Sequence, residues 1–393
     1  MRRKYLVGPF LCLLATWTSG NGTLPLLPLY AMERGASQSA SGLFLAFAFL
    51  CLALGNMSPA ALPKDFRHRR LLLVACGVLE IVLAWLAGRV ANVLQLAIAT
   101  GAGWFLAGII FSQGTTLVGL AAGPEDRGTA FGILGMTNGL GALIGGLTVG
   151  PIADRFGYRG AYDGLAVFCV LIVVGGLISI EGSSSAAPED SPSVPPVRRQ
   201  LGGFLVLLLL AQVLVAVSNG PANLGRSLSM NAAGFSKSAL TLTTAISGLI
   251  SLSIPILAGR LSDRIGRRWV LVASYLLTGA SLVLLSFSRV FWQFCVFAIL
   301  NAFFGASTAI GPAYVVDVDP HGNVGRNVSL LGSALWVGCI AGMAPLGYAF
   351  EKLGIVTSVL ITSLFPVAAA VLLLIIREKT QSSGIPTPPP RPA

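Results

Sequence analysis

Charge is what this chain has least of. Asp, Glu, Lys and Arg together make up 10% of its 393 residues, while hydrophobic residues make up 54%; a soluble domain carries roughly a quarter charged residues. The shortage excludes an ordinary water-soluble fold. Histidine is scarcer still, with only His68 and His321, both in polar connecting stretches. Two isolated imidazoles offer neither a metal set nor a paired base. The six cysteines, Cys12, Cys51, Cys76, Cys169, Cys295 and Cys339, fall inside apolar runs without metal-ligand spacing, so they read as small apolar residues. No Gly-rich segment ends in Gly-Lys-Ser or Gly-Lys-Thr, which leaves no cradle for the phosphates of ATP. Lacking a clustered nucleophile, metal set or cradle, the sequence predicts no enzyme, no metal and no cofactor.

What the chain has instead is apolar runs of membrane-crossing length. About 18 to 25 apolar residues in succession cross a hydrocarbon core as a helix. Twelve such runs are present, at residues 6–30, 39–61, 71–88, 91–121, 129–150, 161–181, 201–225, 238–258, 269–288, 290–316, 328–350 and 355–376. They are continuous rather than alternating, which predicts helices and not barrel strands. The expected class is an all-α membrane protein embedded in a lipid bilayer. Arg2-Arg3-Lys4 ahead of the first run, with small residues from Thr16 to Gly22 behind it, has the outline of a secretory leader. That run has a counterpart in the second half of the chain, so it reads as the first span.

The counterpart belongs to an internal repeat. Asn21-Gly22 returns as Asn219-Gly220, Gly35-Ala36-Ser37 as Gly234-Phe235-Ser236, and Arg69-Arg70 as Arg267-Arg268, at offsets of 198, 199 and 198 residues. Arg127 matches Arg326 at 199, and the spacing Gly150 to Gly157 matches Gly347 to Gly354 at 197. An ordered series of this kind fixes the architecture as two copies of one unit. Six spans fall in each copy. The organisation expected is a bundle over residues 1–181, a Ser-, Pro- and Ala-rich cytoplasmic linker over 182–200, a second bundle over 201–376 and a Pro-rich disordered tail over 377–393.

Orientation follows from the loop cations. With the N-terminus inside, 18 of the 26 Lys and Arg residues fall on the cytoplasmic side and eight on the other, namely Arg34, Arg89, Arg155, Arg159, Arg226, Lys237, Arg289 and Lys352. Both termini are thus expected in the cytoplasm, as in a multi-pass protein of the plasma (inner) membrane. The net charge of +11 is spread over short separate loops, so topology accounts for it and no nucleic-acid partner is expected.

The most specific motif is Gly259-Arg260-Leu261-Ser262-Asp263-Arg264-Ile265-Gly266-Arg267-Arg268. It resembles the cytoplasmic loop signature of the major facilitator superfamily. In it Gly259 permits close helix approach, Asp263 can accept bonds from a helix N-terminus, and Arg264, Gly266, Arg267 and Arg268 complete the pattern. The first copy, residues 61–70, keeps Asp65 and the final basic pair but loses both glycines. Leu24-Pro25-Leu26-Leu27-Pro28 with Glu33-Arg34-Gly35-Ala36-Ser37, and Gly150-Pro151-Ile152-Ala153-Asp154-Arg155-Phe156-Gly157, resemble stretches of the drug- and metabolite-transporting members. Two features depart from the antiporters of that group. Ile110-Phe111-Ser112-Gln113-Gly114 keeps a Gln-Gly pair without the preceding Arg, and Ile152-Ala153 stands where two glycines are expected after Pro151. Gly139, Gly141, Gly145 and Gly146 accordingly read as close helix packing.

The resemblance implies two six-helix halves, pseudo-symmetric about an axis along the membrane normal, with a central solute site reached alternately from each side. Candidate solute contacts are Asn21, Gln113, Asn138, Asn219, Asn301 and Trp336, which could bond or stack on a solute or bond between helices instead. Glu80 is the one carboxyl clearly at mid-span, and ionisable groups there are costly and functional. It is the candidate for proton coupling. The same resemblance places third spans outside the cavity, so a packing role for Glu80 stays open. With no cation foreseen in the pocket, a neutral, amphipathic or cationic organic solute is expected, carried by a monomer by secondary active transport, as in drug or metabolite efflux coupled to protons. An uptake symporter, an uncoupled facilitator and a non-transporting receptor or scaffold are the alternatives.

Overall fold

The structure, a computed structural model, describes residues 4–58, 65–123, 126–179, 203–318 and 324–375. The expected linker and tail, His321 and Lys64 lie outside the described residues. Every regular element among the described residues is helical. Length and apolarity mark nine of them as able to cross a membrane, or ten when Lys237–Ser251 and Ile254–Ile265, bent by 42°, count as one span.

Two further crossings come from how helices break. Within Arg127–Ile178, Gly157 leaves helical geometry at φ 67° and ψ −175°. A Cβ on Gly164 would meet the Ile152 side chain at 3.6 Å, whereas twelve residues of straight helix span about 18 Å. The chain therefore doubles back at Gly157, and this stretch supplies the fifth and sixth spans. The first span is built in two pieces, Val7–Thr23 and Leu27–Glu33, parted around Pro25. Counted so, the described residues accord with twelve crossings. The seventh span repeats the break: Gly203–Val217 gives way to a wide turn at Pro221–Gly225 before Arg226–Ala232.

The repeated Gly-x-Ser has a structural purpose. Gly35 and Gly234 adopt φ of 93° and 77°, the left-handed region that ends a helix, and Ser37 and Ser236 cap the helices that follow by accepting from the amides of Ala40 and Ala239.

The two halves meet along two seams. Spans five and eight touch backbone to backbone: a Cβ on Gly146 would lie 2.5 Å from the Ala245 nitrogen, and one on Gly150 would lie 2.6 Å from the Lys237 carbonyl oxygen. Spans two and eleven meet the same way, where a Cβ on Gly347 would lie 2.3 Å from the Gln38 oxygen. Of the glycines expected to pack helices, Gly139 and Gly146 face span eight while Gly141 and Gly145 face span one. Past its bend, span eight leaves the first half, and Ile254–Ile265 packs on its own half against Gly305–Val318 and Arg267–Phe287. Leu43, Leu50, Leu79, Val82, Val167, Leu276, Ile361 and Leu364 are exposed on the outside. So large an apolar surface suits lipid rather than water.

Candidate functional site: a central cavity between the halves

A cavity of about 560 Å³ lies between the halves, lined from both. Its size falls within the roughly 300–1,000 Å³ of small-molecule sites. Aromatic rings form much of the wall. Trp17 stacks on Phe111 with centroids 4.4 Å apart, and Phe49 touches Trp104 at 4.9 Å and, across the seam, Trp336 at 6.1 Å.

Asn21, Asn138, Asn219, Asn301 and Trp336 all line the cavity. The amides are partly engaged with each other. Asn21 Nδ2 donates to Asn138 Oδ1 at 2.9 Å between spans one and five, and Asn223 Nδ2 donates to Asn219 Oδ1 at 2.7 Å. A carboxamide has two donor and two acceptor positions, so each retains capacity for a solute.

Gln113 is elsewhere, and its expected role as a solute contact is corrected. The fourth span, Val93–Ala121, presents Thr100, Gly103, Trp104, Ala107 and Phe111 to the cavity. Gln113 follows Phe111 by two residues, about 200° further round the helix. It is fully buried and accepts from Arg69 Nη1 at 2.8 Å.

Glu80 does line the cavity, although third spans were expected outside it. Phe66–Ala87 is indeed peripheral, with Val78, Leu79, Val82 and Trp85 exposed. Its inner stripe is Leu73, Cys76, Gly77, Glu80 and Ala84, a helical i, i+3, i+4, i+7 spacing. Gly103 of span four leaves room for the carboxyl: a Cβ there would sit 3.3 Å from Oε2.

Arg226 overturns the expectation of a cation-free pocket. Counted in sequence with the outer loops, it is 6% exposed and lines the cavity. It is the first residue of Arg226–Ala232, just past the wide turn. Its Nε has no hydrogen-bond partner among the described residues, and no acid there lies within ion-pair distance of it. The sequence signal was present in the first-copy register, where Pro28 marks the broken segment, but a helix break does not reveal which way a side chain points.

At the end of the bundle that bears the Gly35 and Gly234 turns, polar bonds join the halves. Asp154 accepts from the Lys237 amide at 3.0 Å and the Ser238 amide at 2.8 Å, and the Ser238 hydroxyl also donates to it. Glu351 accepts from the Ser39 amide at 2.9 Å and its hydroxyl at 2.6 Å. The two carboxylates are 197 residues apart and the two serines 199, so these are repeat-related contacts in which each half caps a helix of the other. Lys237 Nζ adds a pair with Glu33 at 3.6 Å and sits 3.9 Å from the Tyr158 ring centroid.

The loop motif lies at the opposite end. Asp263 pairs with Arg267 at 2.7 Å, and Arg267 Nε also meets Asp317 at 3.0 Å. These contacts stay within the second half, and among the described residues the pair with Arg267 is the one Asp263 makes. Gly266 has φ 95° between spans eight and nine, and Arg268 donates to the Leu374 carbonyl. A Cβ on Gly259 would meet nothing within 4 Å, which corrects the expected close helix approach. Arg264 is exposed beside it. In the first half, Asp65 bonds His68 Nδ1 at 2.5 Å, and that imidazole holds its carboxyl below the ordinary value.

Residues 9–229 and 203–392 match the model of a family described as the Major Facilitator Superfamily. Multidrug resistance protein MdtG of Salmonella paratyphi A is 26% identical over 302 residues, 72% of each chain. The protein of the same name from Citrobacter koseri is 25% identical over 288 residues, 69% of each chain. Two solved structures share the fold. A D-xylose-proton symporter aligns with TM-score 0.74 at 16% identity, covering 95% of this chain and 97% of its own. A bacterial homolog of the human lysosomal transporter Spinster, inward-facing and occupied, aligns with TM-score 0.71 at 15% identity, covering 95% and 96%.

Proposed function

The chain belongs to the major facilitator superfamily and is a multi-pass membrane transporter, and on that premise we propose that it exports an amphipathic organic solute by alternating access, coupled to protons at Glu80. The observation that carries the reading is one cavity, lined from both halves, holding aromatic walls, carboxamides and, among the described residues, one carboxyl, Glu80, that is not paired with the cavity's one cation, Arg226. Rings accept an apolar body of varied shape, and amides orient its polar groups. Relatives named for multidrug resistance favour export.

The loop cations favour both termini in the cytoplasm, and the bacterial relatives favour an inner membrane. The end held by Asp154 and Glu351 is then extracytoplasmic, and the conformation is sealed against the outside. Rocking the halves apart there and together at the loop motif gives the second access state. The seams combine close glycine packing with a few polar bonds between the halves.

Substrates found by comparing drug tolerance and intracellular metabolites with and without expression provide the assay. In proteoliposomes, Glu80→Gln should abolish accumulation driven by a pH gradient yet spare exchange of solute between the two sides, because exchange need not return an unloaded carrier. A variant that still concentrates solute under a pH gradient makes Glu80 structural and leaves a facilitator, or coupling through another group.

A further inference from the structure

The guanidinium of Arg226 is a charged group in a membrane protein with no acid among the described residues paired to it. Burying a cation is costly unless an anion or dense hydrogen bonding compensates. Arg226 is 6% exposed, its Nε is orphaned, and the surface it retains faces the cavity. Glu80, the carboxyl in the same cavity, lies on the third span and forms no ion pair with it among the described residues. Asn223, one turn before Arg226 and also on the cavity wall, donates its amide to Asn219, and the Arg226 Nε takes no acceptor from it.

We propose that Arg226 is the anchor for a single anionic group, a carboxylate or sulfonate, on the amphipathic solute this protein carries. The inference rests on the transport reading and narrows its substrate class. One guanidinium presents two parallel N–H donors, which suits one planar or tetrahedral oxyanion. Among the described residues no second cation lines the cavity, so a multiply charged phosphate would lack its remaining partners. Position supports the same reading. Arg226 begins the helix that runs eight residues on to the Gly234 turn, about 12 Å of rise. It therefore stands between the Asn219 and Asn223 level of the cavity and the sealed end. An anion there would be held at the closed end, with its apolar body extending toward Trp17, Phe111 and Trp336.

The cavity tryptophans Trp17, Trp104 and Trp336 provide the readout, since a bound naphthalene quenches them. The probes are 2-naphthoate, 2-naphthamide and 2-naphthylmethylamine, matched in size and differing in charge, titrated into the purified full chain. A charge-assisted pair predicts that naphthoate binds at least about tenfold more tightly than the amide or the amine. Arg226→Gln should bring the three within about twofold of one another, and Arg226→Lys should retain part of the preference. Should Arg226→Gln fail to fold, the ranking of the three probes on the wild-type protein still decides. Equal affinities, preference for the amine, or absence of naphthoate binding overturns the proposal, as does a preference unchanged in Arg226→Gln. Counterflow of naphthoate in vesicles separates the two readings: selective binding without counterflow keeps the anion site and removes the transport reading.

Discussion

The two ends of the bundle hold their halves by different means. At the end bearing the Gly35 and Gly234 turns, Asp154 and Glu351 each reach into the other half and take the first amides of a helix there. At the end bearing the loop motif, Asp263, Arg267 and Asp317 satisfy one another inside a single half, as do Arg69 and Gln113 in the other. The bend of 42° in span eight divides the regimes, with Lys237–Ser251 on the seam and Ile254–Ile265 drawn back to its own half. The difference teaches that, among the described residues, the charged motif legible in the sequence forms its pairs inside one half rather than between halves. The links described between halves come from two carboxylates, Asp154 in the Gly150 to Gly157 stretch and Glu351 in its repeat, whose partners that stretch does not reveal.

The comparison breaks most decisively if the sealed end never has to part. Asp154→Cys with Ser238→Cys puts a thiol on each side of the spans five and eight seam. Oxidation should abolish counterflow and a reductant restore it; transport by the cross-linked form would mean that this end stays shut throughout the cycle. A smaller effect comes from weakening the seal. Asp154→Asn combined with Glu351→Gln removes both carboxylate acceptors, and should raise labelling of an Asn219→Cys thiol by an impermeant reagent added from that side by roughly three- to tenfold. An unchanged rate would assign the seal to glycine packing instead. The smallest effect falls at the motif end. Asp263 is 62% exposed in its pair with Arg267, and such pairs contribute little. Asp263→Asn should leave abundance and Asn219→Cys labelling unchanged while slowing counterflow roughly two- to fivefold, through the other access state. Counterflow at the wild-type rate would reduce the motif to a determinant of topology.

Much of this was legible before any coordinates. Continuous apolar runs gave the crossings, and the offset of about 198 residues gave two copies, because both depend only on local composition and order. Four of the six proposed solute contacts were asparagines in broken or Gly-rich stretches, where a polar side chain in lipid has to face inward, and all four line the cavity. Gln113 failed on helix phase: two residues past Phe111 is the far side of the same helix. Arg226 failed for a different reason. Eight residues from a turn, it looked like a loop cation, and only the break at Pro221–Gly225 turns it inward. Asp154 and Glu351 were invisible as partners of Ser238 and Ser39 because those contacts join residues 84 and 312 apart in sequence.

The carboxylate seal distributes its exposure to mutation unevenly. A main-chain N–H is present whatever side chain occupies position 39, 237 or 238, proline aside. Drift at those three positions leaves the amide donors in place. The acceptors have no such insurance, since the polar link of each seam depends on one acidic residue whose loss removes every bond it receives. A lineage changing the closed end of this carrier would find nearly all its leverage at Asp154 and Glu351, and because the two are repeat equivalents, tuning one alone would also make the two seams unequal.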